Sequence, residues 1–378
     1  MTTPVQWQGK WTGIENPKYE RSAWLDCDPG HDDAMACILA WRAGRKLRMI
    51  GASTCAANVE LNKTSENFQR VMSLLGEDVR CVPGAARPLL RPHVGCPEIH
   101  GDDGLGGARW PQTEPLAPDT SVPAIVKMAE KIEIEYERIN GQAPIALICT
   151  GALTNAALLL SVFPEIAEKI EIVFMGGAVP SAVMATEAGG GISCTNEVAA
   201  AGNTGVAAEF NIQMDPEAAK IVMDSPVTKT MIPLQITHSA ILTEEVEKRL
   251  TRSIKDGGIG GGNGRTKTTT TSRYRDCIAG LLAFFRHTYK ETFGFHDGAP
   301  LHDPCAVAFV LEPTIFTLKH LYIDVETTST LTAGQTVADV HGILGKPPNC
   351  FVAVKMDVPA FWNLMVDAVD RGEEKSPW

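Results

Sequence analysis

The sequence predicts an α/β protein, a single domain with a central, mostly parallel sheet flanked by helices, of the Rossmann-like open-sheet type. Short apolar runs with strand character alternate with stretches of helical periodicity, which is typical of βαβ units. Polar motifs follow several of the strand candidates directly, at the sheet edge where such folds bind ligands. The chain has 378 residues, 44% of them hydrophobic and 21% charged, so it can bury a large core without disulfides.

The predicted strands and helices alternate along the chain. We predict strands at residues 22–26, 47–54, 80–82, 145–149, 170–175 and 230–234. We predict helices at residues 33–43, 62–75, 122–139, 155–163 and 215–223. In the second of these helices, Phe68, Val71, Met72 and Leu75 recur at helical spacing and define one apolar face. Pro216 falls in the first turn of the last helix, where a missing N–H is tolerated.

Three regions interrupt this alternation. Residues 1–21 lack periodicity and are predicted to form an N-terminal arm, which leaves residues 22–378 as the domain. Residues 87–118 contain many glycines and prolines and are predicted to form a long loop, which at this length is often functional. Residues 256–272 (DGGIGGGNGRTKTTTTS) are of low complexity and are predicted to form a mobile loop without a phosphate-binding motif.

Charge and composition exclude several classes of protein. The net charge of −11 argues against binding to nucleic acid or to an anionic membrane through overall charge. The sequence contains no run of about 18 apolar residues, so no membrane span is predicted. No CxxC pair occurs among the ten cysteines, several of which lie in apolar runs, so we expect reduced thiols rather than a zinc ribbon. The first residues do not resemble an export signal, and we expect a cytoplasmic protein.

The most informative stretch is a turn that follows the first strand candidate. Four aspartates fall within eight positions there, namely Asp26, Asp28, Asp32 and Asp33. Capping of a helix would explain one or two of them. Four like charges repel one another unless a cation neutralises them, and carboxylate ligands favour Ca²⁺ or Mg²⁺ over zinc. Pro29-Gly30 supplies a sharp turn, and we interpret His31 as a turn residue.

The segment DCDPGHDDAMA resembles the DxDxGxDD fingerprint of the inosine–uridine preferring nucleoside hydrolase family. Other short motifs similar to this family follow in family order: Ala57-Asn58, Ile99-His100-Gly101, Thr150 to Asn155 (TGALTN), Met175-Gly176-Gly177, Ala208-Glu209-Phe210-Asn211 and Leu301-His302-Asp303-Pro304-Cys305. The segments HTYKETFGF and GAPLHDPCAVAF are especially similar to those of fungal uridine nucleosidase-type members. The resemblance implies a nucleoside hydrolase-like fold and calcium-dependent hydrolysis of the N-glycosidic bond of ribonucleosides. It also implies a homodimer or homotetramer.

The resemblance implies a role for each acidic residue of the turn. One Ca²⁺ ion would be held by Asp28, Asp33, the carbonyl group of Thr150 and Asp303. Asp28 would also be the general base that takes a proton from a metal-bound water, with Asp26 as a supporting group. Asp32 would bind the ribose hydroxyls together with Asn58.

The resemblance also assigns the remaining substrate contacts. Asn203, Glu209 and Asn211 match positions that bind the 5′ end of the ribose. His302 is the candidate acid that protonates the leaving base, and His100 is a second candidate in the long loop over the site. Phe295 and His296 are predicted to contact the base.

Two other functions stay open from the residues alone. The first is a haloacid-dehalogenase-like, Mg²⁺-dependent phosphatase, whose strand also ends in an Asp-x-Asp pair, although that class gives no role to Glu209 or to His302-Asp303. The second is a calcium-dependent protein that binds nucleosides without turnover. The sequence does not determine whether uridine, inosine, another purine nucleoside or nicotinamide riboside is preferred.

Overall fold

The structure is a computed structural model that describes residues 21–110, 114–184, 202–254 and 272–378. The predicted arm and the predicted low-complexity loop lie outside the described residues, apart from their last residues, Arg21 and Ser272. The strands of the described part are β1 (Arg21–Cys27), β2 (Leu47–Thr54), β3 (Val82–Pro83), β4 (Ile145–Cys149), β5 (Ile170–Met175), β6 (Thr228–Ile232), β7 (Phe316–Leu321), β8 (Ile323–Val325), β9 (Thr336–Ala338) and β10 (Cys350–Met356).

Helices connect these strands and cover the sheet. They are α1 (His31–Arg42), α2 (Leu61–Leu75), α3 (Pro97–His100), α4 (Ala124–Arg138), α5 (Thr154–Val162), α6 (Ser181–Met184), α7 (Phe210–Met214), α8 (Pro216–Asp224), α9 (Leu234–Thr237), α10 (Glu244–Thr251), α11 (Arg273–Phe293), α12 (Pro304–Leu311) and α13 (Val358–Lys375). None of the described helices is both long and apolar enough to cross a bilayer. All nine cysteines in the described residues are free thiols, and all are buried.

The main sheet confirms the predicted α/β class. Its eight strands lie in the order β3-β2-β1-β4-β5-β6-β10-β7, and β8 pairs with β9 in a separate antiparallel ribbon. Every neighbouring pair in the main sheet is parallel except β10 with β7. The central strands β4 and β5 are buried at every position, as expected for a parallel sheet covered on both faces.

Most predicted elements are found, with shifted ends. The strand predicted at 230–234 begins earlier, at Thr228, and ends at Ile232, because Pro233 has no N–H for the ladder and Leu234 begins α9. The strand predicted at 80–82 is the short β3, Val82–Pro83. The long loop 87–118 contains the single-turn helix α3.

The order of the strands locates a binding site. From β1 the chain runs outward through β2 to β3 and then returns to β4 on the other side of β1. The pair β1 and β4 is therefore a topological switch point, and in such sheets a crevice opens at the carboxyl ends of the two strands. The last residue pair in the β1–β4 register is Asp26 with Cys149. The aspartate turn after β1 and Thr150 after β4 consequently lie at the same sheet edge.

Candidate active site

The turn between β1 and α1 is held in shape by the side chain of Asp33. Its Oδ2 accepts a hydrogen bond from the backbone N–H of Gly30 at 3.1 Å, and its Oδ1 accepts one from Asp28 N at 3.3 Å. The hydroxyl of Thr150, which follows β4, also donates to Oδ1 of Asp33 at 2.8 Å. The backbone N–H of Thr150 donates to Asp26 O at 2.9 Å. The ends of the two switch-point strands are thus tied together around Asp33.

A buried cluster of carboxylates forms at this edge. Each of Asp32, Asp33 and Asp303 offers a carboxylate oxygen within 4.8 Å of the other two, an arrangement that could hold a metal ion. Asp303 comes from a distant part of the chain, directly before α12. None of the ion pairs among the described residues involves these carboxylates. The cluster therefore concentrates negative charge without a basic side chain to neutralise it.

The electrostatics of the cluster follow from this arrangement. Burial, and then the neighbouring Asp33, raise the pKa of Asp32 to about 7. Burial followed by repulsion from Asp32 and Asp33 raises the pKa of Asp303 well above its usual range. A cation with oxygen ligands would remove this repulsion, and the donor set fits a hard divalent ion.

Asp28 lies beside the cluster and has a free oxygen. Its Oδ2 accepts a hydrogen bond from the backbone N–H of Asn58 at 2.9 Å, whereas its buried Oδ1 has no hydrogen-bond partner among the described residues. A Cβ atom at Gly151 would overlap with Oδ1 of Asp28, so a glycine is needed for this close approach. Burial, and then Asp33, raise the pKa of Asp28 well above its usual range. An orphaned carboxylate oxygen in this position is a second observation that fits a bound cation.

Asp26 lies in β1 and is held by side chains from the neighbouring strand β2 and from α5. Its Oδ1 accepts hydrogen bonds from the hydroxyl of Ser53 and from the amide of Asn155 at 2.8 Å. Burial raises its pKa to about 7.

A second group of polar side chains comes from the segment around α7. Glu209 precedes this helix and caps it, since its carboxylate accepts hydrogen bonds from the backbone N–H groups of Asn211 at 3.0 Å and Ile212 at 3.2 Å. It also accepts a hydrogen bond from the backbone N–H of Gly177 at 2.9 Å. Burial raises the pKa of Glu209 to about 7. The amide of Asn211 donates to Thr150 O at 2.7 Å, and Oδ1 of Asn203 accepts from Phe210 N at 2.9 Å.

A small cavity of about 50 Å³ joins these groups. Its walls are formed by Asp32, Asn58, Cys96, Ile99, His100, Thr150, Met175, Asn203, Thr204, Glu209, Phe210, Asn211, Tyr289, Phe293, His302 and Asp303. Nine of the residues predicted from the sequence are among them. Asp28 and Asp33 are fully buried and do not line the cavity, but they hydrogen-bond to Asn58 and Thr150, which do. Phe295 is not in the wall either, because its ring packs against those of His238 and Tyr289.

Three residues that the sequence did not predict to belong to the site contact the two histidines of the cavity wall, His302 and His100. Nδ1 of His302 is 2.8 Å from the hydroxyl of Thr237 at the end of α9. Nε2 of His302 is 2.7 Å from the hydroxyl of Tyr289 in α11, and Tyr289 itself lines the cavity. His31, interpreted from the sequence as a turn residue, contacts His100. No sequence spacing connects these pairs, which come together only through tertiary packing.

Fold and site together define an α/β enzyme with a potential metal-binding acidic site at the switch point of its sheet. A family model described as inosine-uridine preferring nucleoside hydrolase matches residues 23–363. The chain therefore belongs to the inosine-uridine preferring nucleoside hydrolase family, and it is a hydrolase that acts on ribonucleosides. The family predicted from the short motifs is confirmed.

Individual relatives agree with this family. The chain is 36% identical to a Dictyostelium discoideum protein named "Probable ribonucleoside hydrolase", over 92% of this chain and 94% of the relative. It is 38% identical to "Pyrimidine-specific ribonucleoside hydrolase RihA" of Shewanella sp. (strain ANA-3), over 91% and 95%. Among solved structures, the "Purine-Preferring Ribonucleoside Hydrolase from Gardnerella vaginalis" superposes with a TM-score of 0.74 at 26% identity, covering 94% of this chain and 99% of that one. Neither the phosphatase nor the non-catalytic alternative is favoured by these findings.

Proposed function

We propose that this protein hydrolyses the N-glycosidic bond of ribonucleosides to free base and ribose with one Ca²⁺ ion as cofactor. The observation that carries the proposal is the buried acidic cluster without a basic partner, at the edge of a cavity lined by amide and carboxylate groups. Asp28, Asp33, Asp303 and the carbonyl group of Thr150 would hold the ion. A bound cation of this kind neutralises the carboxylates and makes a water at the site easier to deprotonate.

Asp28 is the proposed general base. Its free Oδ1 is available to accept the proton of the attacking water, while the hydrogen bond from Asn58 N orients the carboxyl group. Positive charge develops on the ribose ring as the glycosidic bond breaks, and the surrounding carboxylates stabilise it. Asp32 and Asn58 would bind the 2′ and 3′ hydroxyls, and Asn203, Glu209 and Asn211 the 5′ end.

The proposed proton donor for the leaving base is His302 together with Tyr289. Both ring nitrogens of His302 have hydroxyl partners, and of those two hydroxyl groups only that of Tyr289 belongs to a residue of the cavity wall. A proton delivered to the base from this side would pass through the Tyr289 hydroxyl, with His302 as its partner. Tyr289→Phe should then lower kcat by about 10- to 100-fold and leave KM nearly unchanged. An unchanged kcat in Tyr289→Phe would mean that the Tyr289 hydroxyl does not deliver the proton to the leaving base.

We further propose that the protein is cytoplasmic and forms a homodimer or a homotetramer. The names of the relatives divide between pyrimidine-specific and purine-preferring enzymes, so uridine, inosine and other purine nucleosides are all candidate substrates.

The test is a panel of ribonucleosides assayed for free ribose, using chelator-treated protein with and without added Ca²⁺ or Mg²⁺. We expect ribose release from at least one nucleoside, restored by Ca²⁺ after chelation. Ribose release that persists unchanged after exhaustive chelation would contradict the proposed metal dependence. Binding of uridine and inosine without any turnover would contradict the hydrolase mechanism.

A further inference from the structure

A second, larger cavity adjoins the small cavity of the acidic site. Its volume is about 540 Å³, which is within the usual range of small-molecule sites, whereas the small cavity measures about 50 Å³ and has room for only a few waters. A nucleoside is larger than a few waters, so part of a bound ligand has to lie outside the small cavity. Cys96, Thr204 and Phe210 line both cavities, which are therefore direct neighbours.

The shared residues lie next to those proposed to bind the 5′ end of the ribose. Thr204 directly follows Asn203 in the chain, and Phe210 directly follows Glu209. His302, part of the proposed proton donor for the leaving base, lines the small cavity but not the larger one. A ribonucleoside with its base beside the proton donor therefore directs its 5′ carbon towards the larger cavity.

Asn203 offers a hydrogen-bond donor at this boundary. Its Oδ1 accepts hydrogen bonds from the backbone N–H groups of Thr204 at 2.8 Å and Phe210 at 2.9 Å, which leaves Nδ2 to donate to a ligand. A hydroxyl, an ether oxygen or, more weakly, a thioether sulfur on the 5′ carbon can accept this hydrogen bond. An alkyl group in place of the hydroxyl hydrogen is consequently compatible with the contact.

The wall of the larger cavity is largely apolar. Val94 and Leu331 are large apolar side chains that are 64% and 76% exposed. An apolar group between them would remove their surface from water, which is favourable. The apolar side chains of the wall are Pro92, Val94, Phe210, Met214, Leu331 and Ala333.

The charged groups of the wall do not favour an anion. Arg91 donates to the carboxylate of Glu217 from Nε at 3.0 Å and from Nη2 at 2.7 Å, so its charge is already paired. Glu98 takes part in none of the ion pairs among the described residues. A phosphate group would therefore meet an unpaired carboxylate, whereas an uncharged apolar group meets no such repulsion.

The loop that forms one side of this wall is fixed by hydrogen bonds. Nε2 of His93 donates to the carbonyl oxygen of Ala57 at 2.9 Å, and the backbone N–H of Cys96 donates to Asn58 O at 2.9 Å. This side of the larger cavity is thus held against the segment that carries Asn58 before any ligand binds.

We propose that the larger cavity is a subsite for an apolar substituent on the 5′ carbon of the ribonucleoside, such as the alkyl group of a 5′-alkylthio nucleoside. This inference rests on the proposed function, which supplies the orientation of the ribose. Water adds to C1′ and the N-glycosidic bond breaks, so the products are the free base and a 5-alkylthio-ribose. The thioether bond stays intact.

A series of thioethers tests the subsite with the Ca²⁺-loaded protein. Release of free base is measured for 5′-methylthio and 5′-butylthio derivatives of the nucleoside that gives the fastest ribose release. Because each buried methylene group strengthens binding by up to about fourfold, we expect KM to fall about 10-fold from methyl to butyl. A KM that stays constant or rises, or thioethers that are not hydrolysed while the parent nucleoside is, would overturn the inference. No hydrolysis of the parent or of the thioethers would instead contradict the proposed function.

Two matched substitutions locate the alkyl chain. Leu331→Asp places a charge in the wall of the larger cavity, and the ratio of the two KM values should fall from about 10 to about 1. Ile343→Asp is the control, because Ile343 is 82% exposed and lines neither cavity. This control should keep the wild-type ratio. A ratio that is unchanged in Leu331→Asp, or reduced equally in Ile343→Asp, would overturn the assignment of the subsite.

Discussion

Two sets of buried carboxylates in this protein behave in opposite ways. Asp32 and Asp303 in the acidic cluster have raised pKa values, because burial and mutual repulsion disfavour their charged forms. Glu373 in α13 is just as inaccessible, with 1% of its surface exposed. Burial would raise its pKa too, but hydrogen bonds from Ser253, Ile254 N and other donors outweigh burial and lower the pKa to about 2.

The difference lies in the partners. Glu373 accepts hydrogen bonds from Nε of the buried Arg275 at 2.9 Å and from Ile254 N at 3.0 Å, so the fold itself provides its counter-charge. The acidic cluster has hydroxyl and N–H partners, but no ion pair in the described residues. A buried carboxylate that carries its own cation contributes to structure. A group of buried carboxylates without one depends on a cation from solution, which is an indication of function.

The largest effect on activity should come from replacing Asp28, the proposed base. Asp28→Asn takes away the proposed base and one metal ligand, and we expect kcat to fall by about 10³-fold or more. The metal-free variant should be at least as stable as the metal-free wild type, because a carboxylate that Asp33 repels, next to the cluster, has been replaced by a neutral amide. Ribose release and urea unfolding of the two proteins measure both quantities. Near-native turnover in Asp28→Asn would mean that Asp28 is not the general base.

Removal of the metal is the second test of the comparison. Exhaustive chelation should abolish ribose release and lower the thermal midpoint, because the repulsion within the cluster is no longer neutralised. Added Ca²⁺ should restore both in proportion to occupancy. In Asp303→Asn the stabilisation by Ca²⁺ should be much smaller. An equal shift of the midpoint in Asp303→Asn and wild type would mean that the ion binds elsewhere.

The same comparison explains how far the sequence could predict the molecule. The acidic turn is local, so the spacing of Asp28 and Asp33 and the strand before them were enough to predict a site at the sheet edge. Asp303 could be added only through the family resemblance, because its proximity to the turn is tertiary. The strand alternation likewise predicted the parallel sheet and its first six strands.

The contacts of His302 and His100 were not predictable in this way. Tyr289 and Thr237 reach His302 from two different helices, and no periodicity in the chain relates these positions. The sequence also assigned His31 to a turn, because nothing in DPGHDD shows that its ring faces His100. Strands β7 and β10 of the main sheet and the β8–β9 ribbon were missed too, since the periodicity of residues 316–356 was not resolved into strands.

The smallest effect on activity, and the counterpart to Asp28, should come from Glu373→Gln. This substitution keeps the shape of the side chain but removes the charge that faces Arg275. Of the ionic partners that the described residues give this guanidinium group, Asp370 then remains. We expect the free energy of unfolding at pH 7 to fall by about 2–3 kcal/mol, as for loss of one partner of a buried, hydrogen-bonded charge. Ribose release by the folded variant should match the wild type.

The contribution of Glu373 to the free energy of unfolding should depend on pH. The pKa of Glu373 is lowered in the folded state from an ordinary value of 4.5 to about 2, so its ionised form stabilises the fold above about pH 4.5. That contribution is lost as the pH falls from 4.5 towards 2. Urea unfolding of wild type and Glu373→Gln should therefore differ most at pH 7 and converge as the pH drops below 4.5. A difference that stays constant down to pH 3.5 would mean that Glu373 stabilises the protein by packing, and the contrast with the acidic cluster would no longer be one of charge.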